Sequence, residues 1–347
     1  MPTFASNHLT DAITQAFVVC SVPEDGARIV AEHLVDAELS GVTSHGIIRV
    51  PQYVKALKAG HIALDAELTV TADQTGTAVL DGHGGLGQVM ARRAMDIAIR
   101  KAAKCGVGAT TLVNCSHTGR LAAYALQAAE ASMIGVVMVN PGGHGQWVAP
   151  FGGIAGRLGT NPLSIAAPTG NDTPIFIDMA TCVAPEGKVR AWMVAGKDLP
   201  DGWLRDPSGQ PTNNPKDLYG PPRGALQPVG GHKGYGLALM IDLIAGALSG
   251  AGVCNDPNAP LDGKTDGVFL LAINVQSFCP LEHFYGLAGQ LVSHVKSSPP
   301  ASGFEEVLVA GELEGSCKAE RLKSGIPVEE KTWATIQETF DELGVSV

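Results

Sequence analysis

The sequence lacks paired cysteines, basic runs, long apolar stretches and histidines at metal-binding spacing. Its seven cysteines are scattered, with no C-x-x-C pair and an odd total. That predicts reduced thiols in a cytoplasmic compartment rather than a disulfide framework. No run of Lys and Arg occurs and the net charge is −10, which argues against nucleic acid and anionic membrane surfaces as partners. The longest apolar stretch, Leu237 to Leu248, contains Asp242 and is too short to span a bilayer. The first residues hold no basic segment followed by an apolar one, which predicts no secretory leader. Among ten histidines there is no H-x-H or H-x-x-x-H pair, so no metal site is expected. What is present is a chain of 347 residues, 45% hydrophobic and 17% charged. It reads as globular and long enough for two domains or one elaborated one. The 43 glycines fit many tight turns and close backbone approaches.

Chemistry concentrates first between Gly41 and Tyr53. A helix predicted over Pro23 to Ser40 ends at Gly41, which tolerates the positive φ common just past a helix end. Ser44 can bond a ring nitrogen of His45 or cap the following turn. Arg49 lies four residues beyond His45, and Tyr53 four beyond Arg49. On a continuous helix all three would share one face. A proton donor, a fixed cation and a phenol so placed can bind a small carboxylate and protonate an oxygen beside it. Pro51 either starts that helix or kinks it. The plainer alternative is a surface turn with an exposed histidine.

Further along, helices are predicted at Asn7 to Cys20, Gln88 to Lys104, Leu121 to Ala131, Leu281 to Lys296 and Glu329 to Leu343. Strands are predicted at Leu68 to Thr71, Thr77 to Leu80, Val107 to Val113, Met133 to Val139, Leu163 to Ala166, Ile175 to Ile177, Phe269 to Val275 and Val307 to Ala310. A glycine-rich loop is expected at Asn140 to Gly153, and a long irregular excursion at Pro200 to Pro228.

Gly82, Gly84 and Gly87 fit G-x-G-x-x-G between a strand and a helix, the context of a dinucleotide fingerprint. No acid ends the next strand to hold a ribose, so a glycine bend closing a strand–helix unit is the better reading. After that strand come Ser116, His117, Thr118, Gly119 and Arg120. A loop at a strand's C-terminal end leading into a helix is a good ligand position, so His117 is a second acid/base or orienting candidate. A locally hydrogen-bonded histidine is the alternative. Asp178, at a strand end, can meet a ribose, orient a histidine or cap a helix. The turn Gly230 to Gly236, with His232 and Lys233, opens a helix predicted to Leu248. Backbone N–H groups, the helix dipole and the Lys233 charge suit a dinucleotide phosphate. A flexible glycine linker is the alternative.

Taken together, several motifs in order resemble the malate/L-lactate dehydrogenase family, which is distinct from Rossmann lactate dehydrogenases. They are Ser44 to Tyr53 (SHG..R.P.Y), Asp81 to Gln88 (DG..GLGQ), the His117 loop, Gly159 to Ser164 (GTNPLS), Ile177 to Thr181 (IDMAT), Gly230 to Met240 (GGHKGYGLALM) and Gly311 to Glu314 (GELE). The resemblance covers nearly the whole chain. It implies a mixed α+β, non-Rossmann NAD(P)-binding fold, with a mixed sheet and a helical N- and C-terminal region. It places a helical domain at 1–73 with 320–347, and a cofactor-binding α/β domain at 74–319. It implies NAD- or NADP-dependent interconversion of a small 2-oxo acid and 2-hydroxy acid in a homodimer. In it His45 is the acid/base, Ser44 its relay partner, and Arg49 and His117 complete the catalytic set. The cofactor contacts it implies are His45; Gly119, Arg120 and Leu121; Asp178, Met179, Ala180, Thr181 and Cys182; His232 and Lys233; and Gly311, Glu312, Leu313 and Glu314. Around His117 the chain departs from the family's usual pattern, with Cys115 before the histidine and a Gly119–Arg120 pair after it. That pair is similar to the hydroxycarboxylate dehydrogenase B branch. Arg120 can grip a carboxylate or a cofactor phosphate.

Two other readings stand beside this one. A cyclic imino acid reductase (piperideine or pyrroline carboxylate) needs the same Arg and His. A catalytically silent nucleotide-binding protein would keep the Lys233 turn without turnover.

Overall fold

The computed structural model describes residues 1–141, 145–171, 173–256 and 266–346. In chain order the elements are β1 (Thr3–Phe4), α1 (Ser6–Val19), α2 (Glu24–Leu39), α3 (Val50–Lys58), β2 (Thr69–Asp73), β3 (Thr77–Gly85), α4 (Gly87–Cys105), β4 (Val107–Cys115), α5 (Ala122–Glu130), β5 (Met133–Asn140), β6 (Leu163–Ala167) and β7 (Ile175–Met179). There follow α6 (Glu186–Val194), β8 (Leu204–Arg205), β9 (Pro211–Thr212), β10 (Ala225–Leu226), α7 (His232–Ile241), β11 (Asp266–Asn274), α8 (Leu281–Lys296), α9 (Glu312–Ser324), β12 (Ile326–Pro327) and α10 (Glu330–Leu343).

Seven strands form one sheet in the order β2-β3-β4-β11-β5-β6-β7. Only β3 and β4 pair in parallel; the other five neighbours are antiparallel. A doubly wound Rossmann sheet is mostly parallel, so this is the mixed, non-Rossmann sheet expected. The helix between the one parallel pair, α4, buries Ala91, Ala94, Met95, Ala98 and Ala102 along one stripe. Small residues there let the helix lie close on the sheet. A Cβ on Gly108 of β4 would overlap the Ala98 carbonyl oxygen, and one on Gly135 of β5 the Ala125 carbonyl oxygen.

The terminal helices share a second core. Leu9, Ile13 and Phe17 of α1 and Val30 and Leu34 of α2 pack with Ile47, Tyr53, Ile336 and Phe340. Burying each large aliphatic or phenyl side chain contributes roughly 1.5–3 kcal/mol, so α10 is held against the N-terminal helices by burial of its Ile336 and Phe340. The expected boundary at 73/74 falls in the turn between β2 and β3.

Three expectations are corrected. The excursion at 200–228 is not irregular throughout. It holds a small three-stranded sheet, β10-β8-β9, over an apolar cluster that includes Val148, Leu158, Val189, Leu204 and Leu226. The segment Val307 to Ala310 is not a strand: it leads to Gly311, whose φ of +95° starts α9. The helix opened by the Gly230 turn is regular only to Ile241 and continues as a π-helical turn from Asp242 to Ala247. Helices α6 and α9 escaped the sequence pattern because neither gathers its apolar residues strongly on one face. Only Val189 is buried in α6, and no residue is buried in α9. Of the glycine-rich loop expected at Asn140 to Gly153, residues 142–144 lie outside the described residues.

Candidate active site

The His45 segment is not one helix. Thr43–His45 and Ile47–Arg49 are separate 3₁₀ turns, broken at Gly46, whose φ of −91° and ψ of −151° are extended. Helix α3 then starts with Pro51 in its first turn, where the missing N–H costs nothing. His45, Arg49 and Tyr53 therefore do not share one helical face. A buried carboxylate holds the break open: Glu38 accepts a bond from the Ile47 amide at 3.2 Å. Any side chain at Gly46 would strike that carboxylate. Burial, opposed by Arg321 and the Ile47 amide, raises the Glu38 pKa to about 7. Ser44 Oγ lies 3.0 Å from His45 Nδ1, so Ser44 takes the ring-bonding role of the two expected for it. Arg49 turns back on the segment, its Nε donating to the Ser44 carbonyl at 2.8 Å and its Nη1 to Gln52 Oε1 at 2.7 Å. Among the described residues no carboxylate pairs with Arg49.

His117 arrives from the other direction, on the loop after β4. The glycine bend before α4 fixes that loop. A Cβ on Gly87 would overlap the Ser116 and His117 carbonyl oxygens, and the Gly87 amide donates to Ser116 Oγ at 3.0 Å. The last glycine of the fingerprint-like run thus receives protein backbone rather than a pyrophosphate. Asp266, at the start of β11, accepts from the Thr118 amide and hydroxyl, both at 3.0 Å. The His117 and His45 rings stack with centroids 5.6 Å apart. The Tyr53 hydroxyl lies 2.7 Å from His117 Nδ1, and Gln88 Nε2 donates to the same hydroxyl at 2.9 Å. Tyr53 thus reaches the site by touching His117, not by following Arg49 along a helix.

The field around both rings is positive. Burial, then Arg49 and Arg120, lowers the His45 pKa to about 4. Burial, then Arg49 and His45, drives His117 well below the ordinary histidine value. Both are neutral bases at neutral pH. Arg120 is 4% exposed, and its Nη1 donates to Asp36 Oδ2 at 2.8 Å and Ser40 Oγ at 2.9 Å. Its backbone amide donates to His33 Nε2 at 2.9 Å. Burial lowers the His33 pKa to about 3, which keeps that ring an acceptor. One guanidinium nitrogen of Arg120 is therefore committed to α2.

A cleft of about 560 Å³ brings most of the expected residues together. Ser44, His45, Arg49, His117, Gly119, Arg120, Leu121, Asp178, Met179, Ala180 and Glu314 all line it. Asp178 Oδ2 accepts the Ala122 amide at 2.8 Å, so this carboxylate caps α5 and faces the cleft as well. Other expected residues sit off the cleft wall. Thr181 is buried, its amide and hydroxyl both bonded to the Thr160 carbonyl at 3.0 Å. Cys182 belongs to the apolar cluster under the small sheet. Glu312 pairs with Lys296 at 2.7 Å and Leu313 is solvent-exposed. Gly311 is the positive-φ residue that starts α9 and delivers Glu314 to the cleft. The His232–Lys233 turn begins α7 and is exposed. It is tied to Thr181 through the Val229 amide, at 2.9 Å from the Thr181 carbonyl oxygen. Lys233 pairs with no carboxylate among the described residues. Sequence reading missed Glu38, Trp147 and Glu186. The last two line the cleft from distant segments and carry no local motif.

These residues can exchange a proton at His45 beside the Arg49 cation, on a cleft that also carries three carboxylates, Asp178, Glu186 and Glu314. A family model described as malate/L-lactate dehydrogenase matches residues 4–337. A malate dehydrogenase of Pyrococcus horikoshii is 38% identical, over 98% of this chain and 95% of its own length. A solved structure of malate dehydrogenase from Pyrococcus horikoshii OT3 overlays with a TM-score of 0.89 at 36% identity, covering 99% of this chain and 96% of that one. Hydroxycarboxylate dehydrogenase B of Escherichia coli K12 is 33% identical, over 99% of this chain and 94% of its own length. The structure of a delta1-piperideine-2-carboxylate reductase from Pseudomonas syringae pvar. tomato overlays with a TM-score of 0.84 at 27% identity, covering 98% of this chain and 100% of that one.

Proposed function

The chain belongs to the malate/L-lactate dehydrogenase family and is a hydroxyacid dehydrogenase; on that premise we propose that it interconverts a small 2-oxo acid and its 2-hydroxy acid with NAD or NADP. The observation that carries this reading is the convergence of Ser44, His45, Arg49 and His117 on one cleft. His45 exchanges the proton at the substrate oxygen, and the Ser44 hydroxyl orients its ring. Arg49 holds the substrate carboxylate with the guanidinium edge that Ser44 and Gln52 leave open.

The cofactor fits the residues present. Asp178 and Glu314 offer carboxylates on the cleft to ribose hydroxyls, and the exposed Lys233 at the start of α7 suits a phosphate. A bound nicotinamide supplies or takes the hydride. Of the two units, 1–73 with 320–347 supplies the acid/base, and 74–319 supplies the cofactor surface, with β2 of the first unit paired to β3 of the second.

The homodimer also belongs to this proposal. Helix α8 buries no residue of its own, and Leu287 and Leu291 are exposed on it. Leu237, Met240 and Leu243 are exposed along α7 and its π-helical extension. A second copy of the chain would cover these apolar surfaces. The cytoplasmic setting rests on seven free thiols. No helix among the described residues is long and apolar enough to cross a membrane.

A second reading, reduction of a cyclic imino acid, rests on the likeness to the piperideine carboxylate reductase. A panel of 2-oxo acids and cyclic imino acids, followed at the nicotinamide absorbance with each reduced cofactor, separates the two. Turnover of 2-oxo acids supports the dehydrogenase. Turnover of imino acids alone replaces it with the reductase. No turnover on either class leaves a silent nucleotide-binding protein.

A further inference from the structure

A buried hydrogen-bond chain, Gln88 to Tyr53 to His117, runs behind the cleft, with the Gln88 amide nitrogen turned to the Tyr53 oxygen. The Gln88 amide nitrogen carries only protons to give, and it gives one to the Tyr53 oxygen at 2.9 Å. Tyr53 is 3% exposed, and burial raises its pKa above the ordinary phenol value, so it keeps its proton. With its oxygen already accepting from Gln88, that proton points along the remaining 2.7 Å contact to His117 Nδ1. In that amide orientation Nδ1 is bare. Arg49 and the His45 ring stacked at 5.6 Å oppose a second positive charge here, so the ring is neutral and its one proton sits on Nε2. Because Nδ1 is turned to Tyr53 and His117 lines the cleft, Nε2–H is the nitrogen left for a ligand.

We propose that Tyr53 and Gln88 are positioning residues that lock His117 as the neutral Nε2–H tautomer, making it a fixed hydrogen-bond donor to the substrate oxygen while His45 alone exchanges the proton. This rests on the dehydrogenase reading and assigns separate tasks to its two histidines. A neutral N–H polarises a carbonyl without adding a charge that the site would have to stabilise. A free imidazole divides its proton between the two nitrogens, and the chain removes that ambiguity before substrate arrives.

The test is the ring itself. In protein labelled with ¹⁵N-histidine, two-bond proton–nitrogen correlations report which nitrogen is protonated, and the His117→Asn variant identifies the signal. The expected result is Nε2 protonated and Nδ1 bare, unchanged between pH 5 and 8. Tyr53→Phe and Gln88→Met should each produce a mixture of tautomers. Tyr53→Phe should lower kcat on the order of tenfold with cofactor affinity unmoved. His117→Asn should lower it by about 10²-fold, as for loss of one oxyanion donor. Protonation on Nδ1 in the native protein, titration of the ring within that range, or a single Nε2–H tautomer surviving in both variants would overturn the proposal. The tautomer is read without turnover. A locked ring in a protein that reduces no 2-oxo acid would therefore overturn the dehydrogenase reading and the donor role with it, while the lock would stand.

Discussion

Burial and the charges of Arg49 and Arg120 hold the His45 pKa near 4, which sets the pH response of the chemistry. The oxidative direction needs the neutral imidazole, and the reductive direction the imidazolium. Since kcat/KM reports the free enzyme, oxidation should be flat in pH above about 5 with respect to His45, and reduction should fall as pH rises from 5 to 8. A substrate carboxylate on Arg49 offsets part of the positive field, so the pKa read from kcat should lie higher than 4. A bell centred near 6.5 in both directions would place the proton on another group. His45→Ala should lower kcat by roughly 10²–10⁴-fold, the usual worth of positioned acid catalysis, with cofactor binding nearly intact. If His117→Ala shows that loss and His45→Ala does not, the proton belongs to the second histidine. Arg49→Lys tests the neighbouring task. A single ammonium cannot reproduce a guanidinium that bonds Ser44 and Gln52 and still presents an edge. The KM for the 2-oxo acid should rise and preference over the uncharged aldehyde should fall. Unchanged preference would move carboxylate binding to Arg120.

The start of α4 is where one backbone position decides a whole loop. Gly87 admits the Ser116 and His117 carbonyls against the helix, so Gly87→Ala must push that loop away. Overpacking of this kind costs about 1–3 kcal/mol, seen as a lowered Tm, and here it should also displace His117 and lower kcat. A variant with native Tm and native kcat would contradict the contact. At the start of α7 the argument is electrostatic. Lys233 is exposed beside the positive end of the helix dipole, so Lys233→Ala should weaken cofactor binding through lost charge, raising cofactor KM more than it lowers kcat. Cofactor affinity unchanged by titration would remove Lys233 from the site. Elements with an apolar stripe were legible in advance. The pattern of α8 gave Leu281 to Lys296, the bounds observed. Helix α9 was not legible, because it packs by ion pairs and a positive-φ glycine rather than by burial.

Across the whole molecule, apolar side chains left open on α8 predict the assembly. Leu291 is 59% exposed, so Leu291→Glu should leave the monomer folded and convert a dimer to a monomer in light scattering. A native chain that runs as a monomer at assay concentration would sink the homodimer. What the sequence determined by itself was local: the period of each strong helix and strand, and the residue types at Ser44, His45, Arg49 and His117. Tertiary structure decided how those residues meet. His45 and His117 are 72 positions apart, and nothing local sets their 5.6 Å stacking. It follows from Gly46 breaking the first segment over Glu38 and from Gly87 admitting the second. The depressed pKa of His45 was also out of reach of the sequence. It depends on burial, on Arg49 and on Arg120, whose guanidinium Asp36 and Ser40 hold, and this arrangement exists only once the chain has folded.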